Sequence, residues 1–171
     1  MQSTSSLMQS LPESLWHFSL GLYARPGVAD CCLHMQDKQG VNVNVLLWCA
    51  WLGARGYMLD HARLDGAVDI TCAWDSRYVQ PLRNLRRQMK AEFGVDDAGV
   101  EAVRTSIKQA ELQAERQLQQ QLERYTAHWD CVPAIMDQHK IAKKNIRIYL
   151  SALGVADQII AQVEQVMAWN S

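Results

Sequence analysis

The chain has 171 residues, 49% of them hydrophobic and 20% charged, and a formal net charge of −1. This length suits one domain with a core of its own, and the composition excludes a collagen-like, fully disordered or nucleic-acid-coating protein. The longest apolar run, Val45 to Leu52, spans eight residues, well short of the roughly 18–20 that a membrane-spanning helix needs.

Residues 1–11 are rich in Ser and Gln, carry no Lys or Arg and lack the apolar stretch of a secretory signal. They read as a flexible polar N-terminal tail before a single helical domain over 12–171. Within it, 12–94 reads as a core bundle and 95–171 as a long helix plus C-terminal helices. Ser10-Leu11-Pro12-Glu13 has capping-box spacing, and Leu15, Trp16, Phe18, Leu20 and Tyr23 follow as a first helix. Arg25-Pro26-Gly27 interrupts it, with Pro26 placed to open a second helix whose Val28, Cys31, Cys32 and Met35 share one face. Gly40 ends that helix. Asn42 or Asn44 can cap a third, from Val45 to about Gly53, which is apolar all round and so belongs in the middle of a bundle.

After the turn Gly53-Ala54-Arg55-Gly56, Asp65 is read as the start of a long helical stretch carrying Ile70, Trp74 and Tyr78. Pro81 is expected to break or kink it, and Leu82, Leu85, Met89 and Phe93 continue its apolar face to Gly94. Asp96-Asp97 starts the longest helix, near 98–129, whose apolar positions form a narrow stripe. Pro133 ends it. A helix from Asp137 to Leu153, capped by Gly154, and a last amphipathic helix through Ile159, Val163 and Met167 complete the chain. The expected fold is all-α: a bundle of about six to eight helices.

Five cysteines (Cys31, Cys32, Cys49, Cys72 and Cys131) make an odd number with no repeated spacing. They sit mostly among apolar residues and are expected to be reduced thiols in a cytoplasmic protein.

Leu15-Trp16-x-Phe18, Tyr23-Ala24-Arg25-Pro26-Gly27-Val28, Leu33-x-Met35-Gln36-Asp37 and Val43-Asn44-x-Leu46-Leu47 through Trp51 form a connected set of motifs. With Trp74 and Val79-x-Pro81-Leu82-Arg83-x-Leu85-Arg86, the chain over roughly 15–90 resembles an uncharacterised family of small proteobacterial proteins, a domain of unknown function. The resemblance implies a helical, cytosolic protein. It supplies no activity and no catalytic residues, and the family usually has an acidic residue where Asn42 stands.

Two basic stripes carry the functional reading. Arg83, Arg86, Arg87 and Lys90 fall at i, i+3, i+4 and i+7, as do Lys140, Lys143, Lys144 and Arg147, so each set lies on one helix face. Such faces suit an acidic protein surface. Nucleic acid is less suited, because the sequence pI is near 6.5. Alternatively the stripes are solvated, or pair internally with Glu101, Glu111, Glu115 and Glu123. The first expectation is therefore a non-enzymatic helical adaptor or regulator, with homodimerisation open to it and no membrane partner. The second is a small-molecule or metal-binding protein, or an enzyme, with a pocket near Asp37, Asn42, Asn44, Trp48, Asp65 and Asp69. The bland alternatives are helix caps for Asn42, Asn44 and Asp65, and a core role for Trp48. Cys31 and His34, one turn apart, could join Cys32, Cys72 or His61 on zinc, but no Cys-x-x-Cys accompanies them, so no metal or cofactor is expected. No nucleophile elbow, phosphate loop or dinucleotide fingerprint occurs.

Overall fold

The computed structural model describes residues 13–130 and 132–168, and all regular structure among them is helical. Eight α-helices run in the order α1 (Leu15–Tyr23), α2 (Val28–Gln39), α3 (Val43–Ala54), α4 (His61–Trp74), α5 (Gln80–Phe93), α6 (Ala98–Ala127), α7 (Gln138–Ala152) and α8 (Asp157–Val166). A π-helical turn, Asp75–Val79, joins α4 to α5. The N-terminal tail 1–11, with the Ser10 cap, lies outside the described residues.

The all-apolar α3 is the axis of the bundle: every residue from Val43 to Gly53 is buried. Its closest neighbour is α7. A Cβ on Gly53 would stand 2.2 Å from the Ala142 Cα, so the two backbones meet only because Gly53 has no side chain. Asn145, buried on α7, donates to the carbonyls of Cys49 (3.3 Å) and Tyr57 (2.9 Å) and accepts from the Leu59 N–H (2.9 Å), which ties the segment after α3 to the same face. Trp48 is 0% exposed, donates to Thr126 Oγ1 at 2.9 Å and packs against Tyr125 and Trp129. It is core, and the expectation that it lines a pocket is corrected on that ground.

The helix starts follow hydrogen bonds that short-range spacing only partly reveals. Ser14 caps α1, accepting from His17 N–H. Gly27, at φ 81°, is the residue before α2, so Pro26 stands outside that helix. Of the two asparagines Asn42 is the cap of α3, accepting from Asn44 N–H at 3.0 Å. Asp60 caps α4 through the Arg63 N–H at 2.8 Å, so the helix begins earlier than Asp65, which is an exposed residue of its second turn.

Pro81 neither breaks nor ends the helix. In a regular α-turn its ring would collide with the Arg77 carbonyl, and it has no N–H to offer. The chain instead widens by one residue: the Gln80 N–H reaches the Asp75 carbonyl, the i→i−5 spacing of a π-turn. Trp74 anchors this segment to α6 by donating to the Ala114 carbonyl at 2.9 Å, and its ring packs on Tyr78 at 4.5 Å.

Candidate functional site

The first basic stripe meets the acidic residues of α6. Arg83 donates to Glu111 (3.0 Å) and Glu115 (2.5 Å), and Arg86 grips Glu111 with two nitrogens (2.6 and 3.1 Å). Glu111 is 5% exposed. Burial alone would raise its carboxyl, but the bonds and charges of Arg86 and then Arg83 bring it below the usual range. Glu115 goes the other way: burial, aided by the neighbouring Glu111 and Asp75 charges, holds it above that range despite Arg83. Arg87 reaches across to Asp37 on α2 at 2.7 Å, and this bond lowers the Asp37 carboxyl. Of this stripe only Lys90 stands exposed and without an ion pair among the described residues.

Arg83 and Arg87 also wall a cleft of about 460 Å³ between the end of α2, the segment leading to α3, and α5. Asp37 and Asn42, both expected at a pocket, line it. Asn42 is held from behind by Tyr149, whose hydroxyl accepts the Asn42 N–H at 3.0 Å; burial keeps that phenol protonated well above its ordinary pKa. Four side-chain amides, Gln36, Asn42, Gln80 and Asn84, face the same space. The expected pocket is otherwise divided. Asn44 lies in a neighbouring apolar groove, where its carbonyl accepts from Gln119 Nε2 at 2.9 Å, and Asp65 and Asp69 are exposed on α4 and line neither cavity.

Asp75 is the residue the cleft adds. It sits in the π-turn, is 9% exposed and lines the cleft. One oxygen accepts from Gln80 Nε2 at 2.6 Å, and no guanidinium or ammonium pairs with the carboxylate among the described residues. Buried carboxylates are ordinarily paired, because stripping water from the charge is expensive. Together with Glu111 and Glu115 it sets three carboxylates against the two guanidiniums of Arg83 and Arg86. Sequence reasoning passed over Asp75. The available signal was Pro81, six residues on, in a helix long enough to need a detour.

Every residue lining the cleft lies between Gln36 and Arg87. Residues 14–122 match the family described as a protein of unknown function, DUF2390. The chain belongs to that family. The match runs beyond the resemblance over 15–90, taking in α5 and most of α6, so the cleft and its ion pairs are wholly inside the DUF2390 segment. No curated protein and no solved structure matches the chain.

The second stripe, on α7, lies outside the DUF2390 segment. Arg147 pairs with Glu164 (2.8 Å) and Asp157 (3.2 Å), whereas Lys140, Lys143 and Lys144 are exposed and unpaired among the described residues. Of the cysteines, Cys32 and Cys49 are buried core residues, with burial pushing the Cys32 thiol up to about 12. Among the described residues no three His, Cys, Asp or Glu side chains come together as metal ligands, so Cys31 and His34 gain no third partner. No described helix is long and apolar enough to cross a membrane.

Proposed function

We propose that the protein binds a small positively charged molecule, an amine or guanidinium compound, in the cleft between α2 and α5. The observation that carries this reading is Asp75: a carboxylate nine-tenths buried, at a π-turn, lining a polar cleft and without a cationic partner among the described residues. A cation entering the cleft would complete the charge balance, and the four amides would orient it. The volume of about 460 Å³ is within the range of small-molecule sites. The lining is Gln, Asp, Gly, Val, Asn and Arg. Its carboxylates are the groups able to act as nucleophile or base; one of them, Asp37, is already tied to Arg87, and the cleft is therefore read as a binding site. The four free thiols Cys31, Cys32, Cys49 and Cys72 support a reducing, cytoplasmic setting.

The test is thermal unfolding of the full chain in methylguanidinium chloride against sodium chloride of equal ionic strength. The melting temperature should rise in the former alone, by mass action, and Asp75→Asn should abolish the difference while retaining helical circular dichroism. Equal melting in both salts would contradict the reading.

A second reading keeps an acidic protein partner, now on α7. Its support is that, among the described residues, Lys140, Lys143 and Lys144 have no carboxylate partner while Arg83, Arg86 and Arg87 do. Here Lys140→Glu, Lys143→Glu and Lys144→Glu together should abolish salt-sensitive binding of a polyglutamate probe. Retained binding would dismiss this face.

A further inference from the structure

The cleft does not stop at Arg83. On the far side of that side chain and of Gln36, which both cavities share, lies a groove of about 220 Å³ walled by α1, α2, α3 and α6. Its character changes. Leu20, Leu33, Leu47, Leu112, Val43 and Trp16 line it, and three of these leucines are exposed at its rim, at 53%, 46% and 42% for Leu20, Leu33 and Leu112. Three large aliphatic side chains left wet around one groove are an unspent apolar surface, where a helix face would ordinarily be polar.

The two cavities adjoin at Gln36 and Arg83, and the polar one lies between α2 and α5. It is bridged at the surface by the Arg87–Asp37 pair, whose side chains are both close to half exposed. A pair that wet holds only weakly, so its two side chains can part to admit a molecule. The two ends differ in charge. Arg86 and Lys108 line the apolar groove, whereas Asp75 lies at the polar end. The groove also holds Glu111 and Glu115 and the cleft also holds Arg83, Arg87 and Asp37, but each of those three carboxylates is already paired with an arginine. Asp75 alone of the lining carboxylates has no ion pair among the described residues. A cationic head is therefore drawn to it, which fixes the direction in which a two-part ligand lies.

We infer that the ligand is an amphiphilic amine, its cationic head on Asp75 and its aliphatic or aromatic body in the leucine-lined groove beyond Arg83. This rests on the reading of Asp75 given above. It adds the ligand class: a primary amine or guanidine carrying an apolar chain or ring, as opposed to a fully polar polyamine or amino acid.

The experiment is calorimetric titration of the full chain with ethylammonium chloride, hexylammonium chloride and 1-hexanol. Hexylammonium should bind at least about tenfold tighter than ethylammonium, because its additional methylenes leave water. Asp75→Asn should weaken it by at least about tenfold. Leu33→Ser with Leu112→Ser should weaken hexylammonium by about tenfold; both positions are partly exposed, and circular dichroism confirms the fold. If ethylammonium binds through Asp75 and hexylammonium binds no tighter, the groove assignment is overturned while the cation reading stands. If 1-hexanol binds as tightly as hexylammonium and Asp75→Asn changes nothing, the cation reading fails and this inference with it. If neither amine binds, both fall.

Discussion

Two stripes of four basic residues with the same spacing meet opposite fates. On α5, Arg83 and Arg86 are turned into the molecule and tied to Glu111 and Glu115, and Arg87 pairs with Asp37 at the surface; on α7, Lys140, Lys143 and Lys144 stay in water and only Arg147 is paired. The difference lies in the neighbours. α5 runs beside α6, whose Glu111 and Glu115 are one turn apart and face it, whereas α7 turns its apolar side to α3 and its stripe outward. Residue type follows the same division. Arginine, with a planar fork of donors, holds two carboxylates at once in a partly buried site, and lysine is the better solvated charge. Spacing fixes which face a stripe occupies, and the facing helix decides what that stripe does.

The comparison breaks most readily at Glu111. Glu111→Gln leaves Arg83 and Arg86 half-buried without their main counter-charge and should cost about 3–5 kcal/mol in urea unfolding. A loss below about 1 kcal/mol would mean that the α5 stripe is as solvated as that on α7. Asp75→Asn is expected to act in the opposite direction. Removing a buried charge that has no cation should leave the ligand-free protein as stable or more stable, by about 1 kcal/mol, the pattern of a site kept for function. Destabilisation would recast Asp75 as a structural residue.

Glu115 sharpens the contrast within the network. Its carboxyl is raised in the folded state, chiefly by burial, so the folded protein holds the proton more tightly than the unfolded chain. Its contribution to stability therefore declines as pH rises from the unfolded value towards the folded one. Glu111 is lowered, so its contribution is present above the unfolded value and is lost as pH falls through the folded one. Glu115→Gln should consequently change stability by less than about 1 kcal/mol at pH 7, and compare more favourably with the native chain there than at pH 4. Urea unfolding at the two pH values checks the sign. The smallest effect belongs to α7: replacing Lys140, Lys143 and Lys144 singly by Gln should alter stability by no more than about 0.5 kcal/mol.

Much of the fold is legible in the sequence because helix formation is local. The apolar run of α3 marks a central helix, Gly40 and Gly154 mark ends, and Asp97 and Asp137 cap the helices that follow them. Legibility fails where a choice depends on distant atoms. The start of α4 is an exception, missed for a local reason: the Arg63 N–H donates to the Asp60 carboxylate three residues back, which sets the cap five residues before Asp65. Asp37 and Asn42 reach the candidate site because they flank the end of one helix and the start of the next, near each other in sequence and in space. Asp75 joins them only because the chain passes Pro81 by widening a turn, and helical periodicity carries no sign of that detour. Trp48 and Asn44 lie close to them in sequence, but a helix turns successive residues to different sides. Trp48 faces Thr126 in the core and Asn44 faces Gln119.

The central claim is that a cation settles on Asp75. The most direct measurement is the backbone amide spectrum of the ¹⁵N-labelled chain during titration with methylguanidinium chloride, with sodium chloride as the reference. Saturable shifts should gather on Asp75–Asn84 and on Asp37–Asn42, leaving Lys140–Lys144 unmoved. Shifts no larger than those in sodium chloride, or shifts centred on the exposed carboxylates Asp65 and Asp69, would contradict the claim.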